Sequence, residues 1–325
     1  MKVPASQADG LVNKWEGRRF LNDRLDWNLL RTYLVIGQEG SVSRAAARLH
    51  ITQSAVSQAL KRLEEQLDCA LILRRGPRFD LTSAGEEVLR IATDIYGDVS
   101  RISAAVEERN DGVAGKVRLL TISGLQSTLY DEFLADFHEA HPRVEVEIEV
   151  LRSSDIISSL LQKTATVGLG LCRIPQQKLE QRQLLRQRYA FFCGRRHRLF
   201  GRADVALEEM QGENFVSFVS DQLGGNLSPL AVFRDQQGFT GRIVASSSSF
   251  EEIHRLVCAG YGIGCLPDHM LQKDIEEGLL WRLPPAEGIV DVDVYLLWNR
   301  EQKLTMAEGV FLEGLQHKLA TVDKS

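Results

Sequence analysis

No apolar run in these 325 residues approaches the ~20 that a helix needs to cross a bilayer, and the polar opening MKVPASQADGLVNKWEGRRF has no signal-peptide core. Membrane and secreted classes are thereby set aside, and the expected compartment is the cytoplasm. Cysteine is scarce. Five cysteines, an odd number without close pairing, fit reduced thiols better than a disulfide framework. The sequence also shows no nucleophile elbow, no phosphate-binding glycine loop and no paired Asp/Glu signature. GYGIG, at 260–264, precedes a strand pattern rather than opening a helix. The expectation is a non-enzyme without a cofactor. What is present is ordinary globular composition, 44% hydrophobic and 26% charged, in a chain long enough for two to three domains of ~100–200 residues each.

Charge is distributed unevenly. The net charge of −5 by itself argues weakly against nucleic acid. Between Trp27 and Thr82, however, eight Lys/Arg face five Asp/Glu, while Ser83 to Ser325 carries 26 Lys/Arg against 35 Asp/Glu. A basic head precedes an acidic body.

In the head, Leu30, Tyr33, Leu34 and Ile36 fall near helical spacing and Gly40 stops the helix. Ser41 and Ser43 offer caps for a second helix, SRAAARLH, in which Ala45 and Ala46 leave room for a close crossing. Thr52 caps a third helix with Ala55, Val56, Ala59, Leu60 and Leu63 inward. The connection of about four residues between the second and third helices forces a sharp crossing, the helix-turn-helix geometry. Gln53, Ser54, Ser57, Gln58, Lys61 and Arg62 then face outward. Ser and Gln suit base edges in a major groove, and Lys and Arg neutralise phosphates, so this helix reads as a DNA reader. LILRRGPRFDLT follows as a β-hairpin turning at Gly76-Pro77. Its tip carries Arg74, Arg75 and Arg78, suited to a minor groove or flanking phosphates. Surface Lys and Arg are also a common solvated face; the small Ala pair, short turn and arginine-tipped hairpin together favour DNA.

With GSVSRAAARLHITQSAVSQALKRLEEQL and LRRGPRFDLTSAGEEVL, the chain resembles the LysR-type transcriptional regulators. Gly40-Ser41, Ala45-Ala46, Thr52-Gln53, Ser57, Leu63-Glu64, Leu81-Thr82 and Gly85 match the family pattern over ~60 residues at fixed spacing. Ser54 stands where proline is frequent, Asp68 where glycine is usual and Ile72 where phenylalanine is usual. The resemblance implies a winged helix-turn-helix domain at 27–85 that binds operator or promoter DNA, with Thr52 also facing it. Residues 1–26 are an extension that most members lack. The resemblance further implies a linker and dimerisation helix at 83–109. Sequence agrees, since Ser83 and Glu86 are spaced as a capping box and Val88, Ile91, Ile95, Val99, Ile102 and Val106 recur at spacings of three and four. Such a stripe also suits an ordinary core. Paired heads would read half-sites about one helical turn apart or multiples of it. The resemblance suggests a homodimer or homotetramer, with RNA polymerase as a further partner.

After the glycine-rich NDGVAGK, at 110–116, strand and helix patterns alternate. KVRLLTI and VEVEIEVL read as strands, LQSTLYDEFLADFHEAHP as a helix ended by Pro142, 154–163 as a second helix and TVGLGL as an apolar strand. A βαβαβ order implies an α/β body with a parallel sheet, whose ligands sit beyond the strands' carboxyl ends. The resemblance implies a two-lobed, periplasmic-binding-protein-like effector domain at 116–325. Lobe I is expected at about 116–187 and 290–325, and lobe II at about 188–289. LVCAGYGIGCLP, at 256–267, resembles the family's helix-Gly-x-Gly-strand-Pro motif, and the stretch from Asp291 resembles the strand and helix that return to lobe I. Val167 stands where that strand often carries aspartate.

Hydroxyls at helix starts, where free N–H groups and the helix dipole favour an anion, mark candidate contacts for a small-molecule effector such as a carboxylate. These are Ser123 with Gly124, Ser153 with Ser154, Ser217, and Ser248 with Ser249. Serine is also a routine helix cap, so each has a plain structural alternative. Three rival functions remain open. A thiol-based redox regulator of the same fold could use Cys193 with His197 or Cys265 with His269, although buried cysteines are commonly inert filler. A metal site at His138 and His141 lacks an obvious third ligand. An enzyme on the binding-protein fold lacks the motifs named above.

Overall fold

The computed structural model describes residues 25–73, 80–107 and 112–322. The chain divides into one unit reaching Ser103 and a second from Ala104.

In the first unit, helix α1 (Trp27–Glu39) starts where the Asp26 carboxylate accepts the Asn28 N–H at 2.8 Å and ends at Gly40, whose φ of 55° is left-handed. Helix α2 (Val42–Leu49) starts at Ser41 and α3 (Gln53–Leu67) at Thr52, whose hydroxyls accept the N–H groups of Arg44 and Ala55. Leu30, Tyr33, Leu34 and Ile36 pack with Ala45 and Ala46 and with Val56, Leu60 and Leu63 in one core. Asp68 ends α3 at φ 52°, the left-handed geometry that favours glycine and that Asp tolerates. Strands β1 (Ile72–Leu73) and β2 (Asp80–Leu81) pair antiparallel. The hairpin tip, with Arg74, Arg75 and Arg78, lies outside the described residues, as does the extension at 1–24.

Helix α4 (Ser83–Glu107) corrects two expectations. Its cap is Thr82, one residue before the expected Ser83–Glu86 box; the Thr82 hydroxyl accepts the Gly85 N–H at 2.9 Å and donates to the Ala70 carbonyl at 2.7 Å. The expected dimerisation stripe also splits. Val88 and Ile95 join Leu89 and Ala92 against the head's own core, because the first turns of α4 close over α1. Ile91 and Val99 remain exposed, together with Tyr96. The side chains of Ile102 and Val106 lie outside those described.

The second unit runs β3 (Gly115–Thr121), α5 (Thr128–Ala140), β4 (Val144–Val150), α6 (Ser153–Leu161), β5 (Val167–Gly170) and β6 (Leu179–Gly194). It continues with α7 (Leu207–Met210), β7 (Phe215–Phe218), α8 (Ser228–Gln236), β8 (Ile243–Ser247), α9 (Phe250–Cys258) and β9 (Ile263–Pro267). Then come α10 (Gln272–Glu276), β10 (Leu280–Leu283), β11 (Val290–Asn299) and α11 (Met306–Val322). The described strands of this second unit form one nine-stranded sheet in the order β4-β3-β5-β11-β6-β9-β7-β8, with β10 also on β6. β3 runs parallel to β4 and β5, and β7 parallel to β8 and β9. Between these parallel halves, β6 and β11 pair antiparallel from Leu179 to Tyr189.

β6 has 16 residues and was not anticipated as a strand. The lobe boundaries expected near 187/188 and 289/290 consequently meet this strand pair rather than flexible linkers. Successive side chains enter opposite layers, as strand geometry requires. Leu119 joins Phe133, Phe137 and Phe311 on one face, while Leu120 joins Ile156 and Leu160 on the other. No helix of the described residues is long and apolar enough to cross a membrane.

Candidate functional site

Two surfaces carry the candidate residues. On the first unit, Val56, Leu60 and Leu63 turn α3 toward the core. The same 3.6-residue period leaves Thr52, Gln53, Ser54, Ser57, Gln58, Lys61 and Arg62 all exposed. Thr52 spends one hydroxyl lone pair on its cap at 3.2 Å. Lys61 is 3.6 Å from Glu65 in an exposed pair, which holds the side chain only weakly. Arg44 and Arg48 are drawn to Glu39 at the end of α1, at 3.7 and 2.9 Å. The surface that remains for a partner is therefore amide, hydroxyl and cation along one helix face.

On the second unit, a cavity of about 300 Å³ opens between the two halves of the sheet. Of the seven expected contacts, Ser123, Gly124, Ser153, Ser154 and Ser248 line it. Ser217 and Ser249 do not, and each has a structural reason. The Ser217 hydroxyl, 4% exposed, donates to buried Asp221 at 2.6 Å. The Ser249 hydroxyl accepts the Glu252 N–H at 3.3 Å, capping α9, and donates to Glu251.

The lining serines differ in what they leave free. Ser153 accepts the Leu171 N–H at 3.0 Å and so ties the start of α6 to the end of β5. Ser123 accepts the Phe250 N–H at 2.8 Å and donates to the Ser248 carbonyl at 3.3 Å, joining the halves. Gly124 has φ +66°, and a Cβ there would come within 2.6 Å of the Phe250 ring. Arg173 makes a second bridge, its guanidinium donating to the Ser228 hydroxyl at 2.6 Å.

Sequence reading missed Arg152, Gln187, Tyr189, Phe218, Phe250 and the loop from Ser220 to Leu227, all at the cavity. Arg152, 57% exposed at its side chain and 2.9 Å from Asp155, stands at the start of α6. With Ser153 and Ser154 it places a guanidinium, paired with Asp155, at a helix N-terminus lining the cavity, where free N–H groups favour an anion. Gln187 and Tyr189 were legible in principle, since RQRY alternates cation with neutral side chain, the period of a strand. The loop is anchored below by Asp221, which accepts from both Ser217 and Arg234. Burial raises the Asp221 pKa, opposed by Arg234 and Ser217.

The thiols occupy different surroundings. Cys172, Cys193 and Cys265 are buried. Burial raises all three thiols, Cys193 to about 12. His197 faces Glu213 at 3.1 Å, and His269 hydrogen-bonds to the Gln126 backbone. Cys258, which sequence did not pair, lies 3.7 Å from His254, but burial and nearby Asp274 push that thiol up as well. His141 packs its ring on Phe137. Among the described residues, no three His, Cys, Asp or Glu side chains are placed to hold a metal ion.

Comparison with known proteins follows the same division. Residues 27–86 match the bacterial regulatory helix-turn-helix protein, lysR family, and residues 110–320 match the LysR substrate binding domain. The uncharacterized HTH-type transcriptional regulator YnfL of Escherichia coli (strain K12) is 26% identical over 283 residues, covering 87% of this chain and 95% of that one. The RuBisCO operon transcriptional regulator of Allochromatium vinosum is 24% identical over 287 residues, covering 87% and 93%. Among solved structures, CbnR, a LysR family transcriptional regulator, superposes with a TM-score of 0.61 at 17% identity over 91% of this chain and 99% of its own. CbnR complexed with its target DNA gives 0.56 at 18% identity over 90% and 100%. With its head and its body both matched, the chain belongs to the LysR family of bacterial helix-turn-helix transcriptional regulators.

Proposed function

We propose that the protein binds operator DNA through the exposed face of α3 and the adjoining hairpin, and that a small anionic or polar effector in the 300 Å³ cavity controls it. The observation that carries the effector reading is convergence. Four serines, Ser123, Ser153, Ser154 and Ser248, with Gly124, far apart in sequence, line one cavity beside Arg152. That chemistry suits a small carboxylate. Support for DNA comes from the exposed amide, hydroxyl and cation face of α3 and from the CbnR complex with its target DNA. Exposed Ile91, Tyr96 and Val99 on α4 support self-association as a dimer or tetramer. RNA polymerase as a further partner and a cytoplasmic location follow from the regulatory role, which is not enzymatic.

Because β6 and β11 pair where the two halves meet, an effector that changes the angle between the halves would act at that strand pair. The change would then alter how subunits associate and how the heads sit on DNA. A thermal-shift screen of the full chain against carboxylates, amino acids, aromatic acids and inorganic anions, with peroxide and reductant arms, tests the effector reading. A ligand at ~100 times its Kd stabilises its protein by about 2.7 kcal/mol. A shift confined to the peroxide arm would replace the effector by thiol oxidation. A found effector that left both DNA bending and footprint unchanged would remove the proposed transmission.

A further inference from the structure

Two buried polar side chains at the cavity have unmet hydrogen-bonding capacity. Gln187 is 2% exposed and Tyr189 4% exposed, and both line the cavity. Neither the Gln187 amide nor the Tyr189 hydroxyl hydrogen-bonds to another group among the described residues. Neither side chain contributes to the fully enclosed unpaired polar atoms among the described residues, so the amide and the phenol open onto the cavity, where water or a ligand can complete them.

Their placement is rigid. Residues 187 and 189 are two apart on β6, so both side chains project from the same sheet face. On the opposite face, Arg186 and Arg188 grip Asp293 and Asp291 through paired hydrogen bonds, at 2.7 and 3.3 Å and at 2.8 and 3.1 Å. The Tyr189 ring is set edge-on to Phe218, with centroids 6.5 Å apart. Burial raises the Tyr189 pKa, so the group presented is a neutral phenol. The exposures of Gln187 and Tyr189 place them deep, whereas Arg152 is at the mouth. Phe218, Phe250 and Leu171 supply apolar wall between.

We propose that Gln187 and Tyr189 are the specificity-determining residues of this cleft, selecting a carboxylate that carries a second, neutral hydrogen-bonding group at the end remote from the acid. The acid sits at Arg152 and the start of α6; the remote hydroxyl, oxo or amide group completes Gln187 and Tyr189. The inference rests on the reading of the cavity as an effector site. It adds what the deep end recognises.

Matched pairs of acids test it on the full-length protein, by calorimetric titration of benzoate against 4-hydroxybenzoate and hexanoate against 6-hydroxyhexanoate. In at least one pair the hydroxylated member binds the wild type about tenfold tighter, the ratio one well-made hydrogen bond supports. In the Gln187→Leu, Tyr189→Phe double variant that preference collapses to within about twofold, while the unhydroxylated acid binds as before. Melting of the ligand-free double variant stays within about 2 °C of the wild type, since neither group has a protein partner to lose. Equal binding within every pair overturns the proposal and leaves the effector reading standing, as does a preference that survives the double substitution. A large drop in ligand-free melting overturns it as well, by showing an internal partner. Silence of all four acids removes the proposal together with the carboxylate reading of the cleft.

Discussion

The Ser123 hydroxyl accepts the backbone N–H of Phe250 at 2.8 Å, from one half of the effector unit to the other. That N–H belongs to the first turn of α9, where no helical carbonyl is available to it. Closure of the halves thus also satisfies a free first-turn N–H of α9, beside the helix's own Ser249 cap. Ser123→Ala should cost about 1–3 kcal/mol, the penalty for orphaning a partly buried donor, and lower the melting temperature of the ligand-free protein. An unchanged melting temperature would show that the contact does not hold the halves together.

The head offers a graded test at one contact between two residues. Tyr33, fully buried, donates to the Gly85 carbonyl at 2.9 Å, and a Cβ on Gly85 would lie 2.1 Å from the Leu71 carbonyl. Tyr33→Phe removes one buried hydrogen bond, worth about 1 kcal/mol. Gly85→Ala forces backbone apart and should cost more. Denaturant unfolding of the two variants should rank them in that order; the reverse order would mean that the α4 start can shift freely.

Lys61→Ala and Arg62→Ala should each weaken operator binding and reduce the magnitude of the salt slope by about one, as expected for one lost phosphate contact. The Lys61–Glu65 pair is exposed on both sides, so losing it should leave the fold intact. Binding measured across a salt series decides this, and a slope equal to that of the wild type would take the residue off the DNA face.

Burial lowers the pKa of His269, against its hydrogen bond to the Gln126 backbone, and lowers that of His197, against Glu213. In the unfolded chain both titrate near about 6.5, so below that pH the unfolded state binds more protons. The stability from these groups is therefore present above about pH 6.5 and declines as pH falls through it. Melting recorded from about pH 7.5 down to about 5.5 should fall, and His269→Gln should flatten the decline. An equally steep decline in that variant would assign the effect to other groups.

Much of the head was legible because its determinants are local. Gly40, Ser41 and Thr52 stop and start helices through their own backbones and side chains, and Val56, Leu60 and Leu63 declare a buried face by spacing alone. The stripe on α4 was legible as helical but not as to what it covers. Val88 and Ile95 share a period with Ile91 and Val99, and only the position of α1 decides which of them are buried.

In the effector unit, the alternation of strands and helices and the serines at helix starts came from the sequence, since caps and periodicity act within a few residues. Which serines reach the cavity did not, because Ser217 is claimed by Asp221 and Ser249 by its own helix. The burial of Gln187 and Tyr189 beside the cavity was decided by tertiary structure alone. Their strand is polar enough to conceal its burial, and pairing with β11 is what turns Arg186 and Arg188 to one face and the amide and phenol to the other. Sequence by itself determined the family, the basic head and its helices; the three-dimensional arrangement decided the β6–β11 pair and which groups are spent on one another and which face the cavity, because a hydrogen bond between distant residues exists only once both ends have been brought together.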